Sequence, residues 1–176
     1  MYSWLWIYIF VNNIPFLITL IRKIIFTATS HLFTNKSRDI LKSFWHIYVF
    51  CLKCGFKITT VHTDGEFAPE REIIVEMSSG PMVNLTSANN HFPRIEQIIW
   101  LLKERRREIR YSIPFMRLHF ILTANIVLEN VKVLVYSPTM AGILTTISPR
   151  AIMTGETLDY KRLLAIPFVQ YCQIQK

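Results

Sequence analysis

Two carboxylates in the sequence stand where metal-dependent chemistry would need them. Asp64 directly follows a β-branched segment that reads as a strand, and Glu96 lies in the first turn of a long basic segment that reads as a helix. The carboxyl ends of sheet strands commonly form a site. Mg²⁺ prefers oxygen ligands, and two such ions about 4 Å apart can activate water and stabilise a leaving oxygen at phosphorus. The pair therefore suggests phosphoryl transfer assisted by Mg²⁺ or Mn²⁺.

Each carboxylate also has a purely structural interpretation. An aspartate after a strand is commonly a turn residue, and a glutamate at a helix start offsets the helix dipole. The spacing of Asp64 and Glu96 does not decide between the two interpretations, so both stay open at this level.

The segment Arg94–Tyr111 predicts an amphipathic helix with a basic outer face. Its apolar stripe consists of Ile95, Ile98, Ile99, Leu102 and Ile109. Its predicted solvent face holds Glu96, Trp100, Lys103, Arg107 and Arg110. The cations that could contact nucleic-acid phosphates are Lys103, Arg105, Arg106 and Arg107. Such contacts give salt-sensitive, sequence-independent binding. The alternative is a solvated face on which glutamates pair with neighbouring cations.

Composition limits the classes of protein that can present these residues. The chain has 176 residues, about half of them hydrophobic, which fits one domain with a sizeable core. A formal charge of +8 excludes an acidic disordered chain and leaves nucleic acid or an anionic membrane as partners. Three cysteines argue against a disulfide-stapled secreted scaffold. The expected location is nuclear or cytoplasmic.

The elements that must position the site alternate along the chain. Strands are predicted at Trp4–Val11, Pro15–Leu20, Lys23–Ala28, Phe56–His62 and Met82–Ser87. Helices are predicted at Arg38–Leu52, Pro69–Met77, Arg94–Tyr111 and Phe115–Val135, with turns and short elements from Ser137 onward. This order predicts an α/β fold with a mixed sheet.

The first 21 residues contain no charged side chain, which leaves two interpretations. An uncharged run of this length is a transmembrane candidate, and the chain would then be a small membrane-anchored interaction protein. Asn12, Asn13 and Pro15 interrupt the run and are typical of a turn. We therefore favour a buried hairpin, with the membrane as the less favoured partner.

The order of short motifs resembles the integrase core of Copia-type retrotransposons, a member of the retroviral integrase superfamily. The resembling segments are Phe10–Phe16, Gly55–Lys57, Val61–Phe67, Val83-Asn84, Ser87–Asn89, Pro93 with Ile95-Glu96, Lys103–Arg105, Ile113–Phe115, Leu144, Ser148–Arg150, Gly155, Leu158–Tyr160 and Pro167-Phe168. The resemblance implies a ribonuclease-H-like fold, with a five-stranded mixed sheet flanked by helices. It also implies an integrase-core-like domain over residues 1–136, a C-terminal extension over 137–176, and Mg²⁺-dependent integration of element DNA. Self-association is a further expectation.

The family's active site contains two aspartates and a glutamate, and this chain matches only part of that set. By resemblance Asp64 is the second carboxylate and Glu96 the third, so both would be catalytic residues and metal ligands. The first should lie in the opening strand, where this chain has Ile7. The resemblance thus implies a degenerate, catalytically inactive integrase copy that retains some nucleic-acid binding. One alternative is that Glu66, two residues after Asp64, supplies the missing carboxylate.

Overall fold

The computed structural model describes residues 2–76, 80–85, 93–114, 118–140, 142–156 and 159. Five strands are present: β1 (Tyr2–Val11), β2 (Ile14–Ile21), β3 (Phe26–His31), β4 (Ile58–Thr63) and β5 (Met82–Leu85). The helices are α1 (Ser37–Lys53), α2 (Ala68–Glu76), α3 (Pro93–Ser112), α4 (Phe120–Tyr136) and α5 (Pro149–Thr154). A short 3₁₀ turn, Gly65–Phe67, joins β4 to α2.

The five strands form one mixed sheet in the order β3-β2-β1-β4-β5. Strand β1 is antiparallel to β2 and parallel to β4, and β5 is parallel to β4. Helices cover both faces of this sheet. The arrangement confirms the predicted fold class, a ribonuclease-H-like α/β fold with a five-stranded mixed sheet flanked by helices.

Strand β1 is buried on both of its faces. On one face Trp4 and Trp6 contact aromatic side chains of α1 in a first core cluster. On the other, Leu5 and Ile9 belong to a second cluster that contains side chains of α3 and α4. Helices α1 and α3 therefore lie on opposite faces of the sheet, and a strand covered on both sides needs a continuous apolar sequence.

The opening segment forms the predicted hairpin. Asn12 and Asn13 both have positive φ, 52° and 61°, and Val11 pairs with Ile14. Asparagine tolerates this left-handed conformation, and two such residues make the tight turn that matches strand twist. Among the described residues, no helix combines the length and apolar character needed to cross a membrane.

Three predicted boundaries are wrong by three residues or more. The third strand spans Phe26–His31 rather than Lys23–Ala28, because residues 22–25 form the turn between β2 and β3. Helix α4 starts at Phe120 rather than Phe115, since the His119 Nδ1 atom accepts the Ile121 N–H at 3.3 Å and caps the helix there. Residue 115 itself lies outside the described ranges, as does the predicted end of the β5 segment at Ser87.

The C-terminal extension, where described, packs onto the same core. Ser148 Oγ accepts the Ala151 N–H at 3.2 Å and caps α5. Met153 of α5 is buried in the first core cluster together with Val135 of α4. The division into residues 1–136 and 137–176 stays a prediction. Met153 packs this part of the extension against the domain core.

Candidate active site and nucleic-acid interface

The pairing of β1 with β4 places Ile7 beside Asp64. Trp4 pairs with Val61 and Trp6 pairs with Thr63 in a parallel register. Ile7 follows Trp6 and Asp64 follows Thr63, so these two residues lie directly beyond the last pair of the two strands. The position at which the family resemblance expects the first carboxylate is thus adjacent to the second one, and it holds an apolar side chain.

Alternation along the strands shows which face this pair occupies. Leu5 points into the second core cluster and pairs with His62. Ile7 lies two residues beyond Leu5, and it also packs against the second cluster. Asp64 lies two residues beyond His62, so strand alternation places it on the same face. This is the face that α3 covers.

Asp64 has a local structural role. Its Oδ1 atom accepts the backbone N–H of Glu66 at 3.2 Å and so caps the 3₁₀ turn that follows β4. Burial and the neighbouring Glu66 carboxylate raise the pKa of Asp64, and the hydrogen bond from the Glu66 backbone opposes this rise. Asp64 is therefore a turn residue in this structure, and this role does not depend on catalysis.

The alternative in which Glu66 replaces the missing carboxylate required the strand to continue past Asp64. Strand β4 ends at Thr63, and Glu66 lies in the 3₁₀ turn with its side chain exposed. The premise of a shared strand face is therefore wrong, because the Asp64 cap turns the backbone out of the sheet. The negative charge of Glu66 also raises the pKa of Tyr8, for which burial is the larger cause.

Glu96 occupies the predicted place in the first turn of α3, and its side chain is exposed. The preceding residue, Ile95, is fully buried in the second core cluster and anchors this end of the helix against the sheet. Of these two glutamates, Glu66 is the one whose charge raises the pKa of Asp64. Helix α3 thus covers the face of the sheet to which Asp64 is assigned, and a metal-binding pair of Asp64 and Glu96 stays a prediction.

The donor set does not fit the two-ion magnesium centre that the integrase resemblance implies. Within the described ranges, no three His, Cys, Asp or Glu side chains form a group able to hold a metal ion. Ile7 supplies no oxygen at the position adjacent to Asp64. A centre that relies on several carboxylates to hold two ions lacks one of them at this edge of the sheet.

The four cations predicted to contact nucleic acid lie on α3 with different exposures. Lys103 and Arg107 are exposed, and Arg107 donates a hydrogen bond to Glu104 in an ion pair. Arg105 is half-buried, and Arg106 is half-buried with its Nε and Nη2 atoms enclosed. The ion pair agrees with the solvated-face alternative at Arg107, while contact with nucleic acid stays a prediction for all four cations.

Arg106 is the unusual member of this group. Among the described residues its enclosed Nε and Nη2 atoms have no hydrogen-bond partner. Burial lowers the pKa of its guanidinium, and the positive charges of Arg110 and Arg107 lower it further. Mutually repelling cations on one helix favour an anionic ligand nearby, because an anion would relieve that repulsion.

Sequence reasoning did not single out Glu70 or the exposed aromatic rings near α1. Glu70 is 3% exposed, and its Oε2 atom lacks a hydrogen-bond partner in the described part of the chain. No local signal marks it, since it lies in a charged segment that reads as a solvated helix. Phe33 and Trp45 are exposed although aromatic residues are usually buried, and only the tertiary structure reveals this.

Comparison with protein-family models and with curated proteins found no match for this chain. The integrase resemblance therefore depends on the ordered motifs of the sequence alone.

Proposed function

We propose that this chain is an integrase-core-like protein of retroelement origin that binds nucleic acid and does not catalyse DNA integration. The observation on which the proposal depends is the pairing of Trp6 with Thr63, which brings their next residues, Ile7 and Asp64, to the edge of the sheet where two carboxylates are expected. Loss of one charge-stabilising group commonly costs about 10²–10³-fold in rate, and loss of a shared metal ligand costs more. The expected partner is DNA, including element ends, in the nucleus or cytoplasm.

The basic face of α3 supports the nucleic-acid half of the proposal. Lys103 and Arg107 are exposed, and Arg106, whose enclosed Nε and Nη2 atoms have no hydrogen-bond partner among the described residues, lies on the same helix. Phosphate contacts by such cations provide affinity without sequence information. The protein should therefore bind different DNA sequences with similar affinity and release them as salt rises.

A metal titration and a strand-transfer assay test the catalytic half. Purified protein is titrated with Mg²⁺ and with Mn²⁺ by calorimetry, with Asp64→Asn as the matched control. We expect no metal binding beyond that of the control and no joining of element-end DNA. Binding that disappears in Asp64→Asn, or any joined product, would contradict the proposal.

Fluorescence anisotropy with labelled duplex DNA tests the binding half. Lys103→Gln together with Arg107→Gln removes two exposed cations from α3. We expect the slope of log affinity against log salt to fall by about 1.8, which is about 0.9 for each lost phosphate contact on a duplex. Lys132→Gln on α4 is the control, because Lys132 is exposed and pairs with Glu129. Equal slopes in both variants would rule out α3 as the contact surface.

A further inference from the structure

Two large aromatic rings stand in solvent on the side of the sheet that α1 covers. Phe33, just after β3, is 84% exposed and makes an edge contact with the His31 ring at 5.1 Å. Trp45 on α1 is 45% exposed, and its ring centroid lies 5.7 Å from that of Tyr48. These contacts orient each ring while leaving much of its surface uncovered.

The rings line two adjoining surface clefts. The first has a volume of about 250 Å³, and His31, Phe33, Lys42 and His46 are among its lining residues. The second has a volume of about 320 Å³ and is lined in part by Trp45, His46 and Lys53. His46 borders both clefts, so the two form one continuous surface along α1.

Positive charge follows the same surface. Lys42 and Lys53 are exposed, and neither forms an ion pair with another residue in the described part of the chain. Among the described residues that line the two clefts, Asp39 is the only acidic one, and its Oδ2 atom accepts a 2.6 Å hydrogen bond from Thr34 Oγ1. Because the helical rise is about 1.5 Å per residue, the two lysines are about 16 Å apart along the axis.

We infer that this surface is a binding platform for single-stranded nucleic acid. We call it the α1 platform and define it by Phe33, Lys42, Trp45, His46 and Lys53. Exposed aromatic rings beside a row of cations are what unpaired nucleotides require, since bases stack on the rings and phosphates contact the cations. In a duplex the base faces are already stacked, so the rings favour single strands.

This inference depends on the proposed function for the identity of the ligand, but it uses a different surface. Core side chains place α1 and α3 on opposite faces of the sheet. The α1 platform and the basic face of α3 can therefore be mutated independently. A second copy of this chain is the competing occupant of a surface with exposed rings, and the positive charge argues against it, because two such platforms would repel each other.

The test measures binding of a fluorescently labelled oligothymidylate over a salt series, with a duplex of the same length measured in parallel. Trp45→Ala removes a stacking ring, and Phe120→Ala is its control, since Phe120 is a comparably exposed aromatic residue (53%) on α4. Lys42→Gln with Lys53→Gln removes the cations, and Lys132→Gln is again the charge control. Circular dichroism checks that each variant folds.

We expect Trp45→Ala to weaken single-strand binding about tenfold, with little change for the duplex. The double lysine variant should reduce the salt slope for the single strand by about 1.4, which is about 0.7 for each phosphate contact. The control variants should match the wild type.

Three results would overturn the inference. If only the α3 variants weaken single-strand binding, the α1 platform is not the site, although the proposed function stands. If the wild type binds no nucleic acid, both proposals fail. If light scattering shows a dimer that Trp45→Ala dissociates while single-strand affinity stays unchanged, the platform is a self-association surface.

Discussion

Replacing Ile7 with aspartate would place a second carboxylate beside Asp64 and should create a site for divalent metal. Neighbouring strands lie about 4.8 Å apart, so the two carboxylates would be about 5 Å from each other. At an effective dielectric constant of 20, their repulsion is at most about 3 kcal/mol. Loss of the half-buried isoleucine side chain adds about 1–2 kcal/mol. Without metal, Ile7→Asp should therefore be destabilised by at most about 4–5 kcal/mol.

Divalent metal should recover part of this loss. A metal present at a hundredfold excess over its Kd stabilises the folded state by about 2.7 kcal/mol. For a domain of this size that corresponds to a rise in Tm of about 5–10 °C. The assay is thermal unfolding followed by circular dichroism, with and without Mn²⁺, for the wild type, Ile7→Asp and Ile7→Asn.

The asparagine variant separates polarity from charge, because it removes the same apolar side chain without adding a carboxylate. We expect a Mn²⁺-dependent rise in Tm only for Ile7→Asp. If that variant is unfolded without metal, recovery of its helical signal on adding Mn²⁺ replaces Tm as the measurement. Equal responses of the aspartate and asparagine variants would refute the assignment of Ile7 to the missing carboxylate position.

Three further variants probe the surrounding structure. Burial and Glu66 raise the pKa of Asp64, so ionised Asp64 lowers the free energy of unfolding. This loss is absent below the ordinary pKa of 3.8 and complete above the raised pKa of the folded state. Wild type should therefore lose stability relative to Asp64→Asn in urea unfolding as pH rises from acid to neutral, and a pH-independent difference would contradict this. Gly55 has φ of 81° with open space around its Cα, so Gly55→Ala should cost about 1 kcal/mol through backbone strain alone, and a zero cost in urea unfolding would exclude that conformation. Burial raises the pKa of Cys51 to about 12, so a thiol reagent should modify Cys54 well before Cys51 in a chain whose remaining cysteine is changed to serine. Equal labelling rates, measured by peptide mass spectrometry, would show that Cys51 is accessible.

Local signals predicted the elements that depend on local chemistry. The predicted hairpin turn at Asn12-Asn13 is confirmed, because asparagine tolerates the left-handed conformation that a tight turn requires. The end of α1 just before Gly55 also depends on local chemistry. The N–H groups of Gly55 and Phe56 donate to the carbonyls of Leu52 and Cys51, both at 2.9 Å, and a glycine adopts the required positive φ without strain.

Local signals failed where a boundary depends on packing. The start of β3 was predicted three residues early, because Ile24 and Ile25 in the turn are apolar and β-branched and resemble the strand residues that follow. Ile25 adopts a φ of 55° there, which is unfavourable for a β-branched residue, and it packs against the second core cluster. Its sequence neighbours give no indication of this conformation, since the packing that holds it comes from residues far along the chain.

The sequence by itself determined the order of the elements, the turn at Asn12-Asn13, and the absence of a carboxylate from the opening strand. Only the tertiary structure decided that Ile7 lies beside Asp64, because parallel pairing joins residues more than fifty positions apart in the chain. It also decided that Trp4 and Trp6 are buried while Trp45 is exposed, although local sequence does not distinguish these tryptophans. Periodicity is a property of neighbouring residues, whereas burial and the composition of a site depend on which distant surfaces meet.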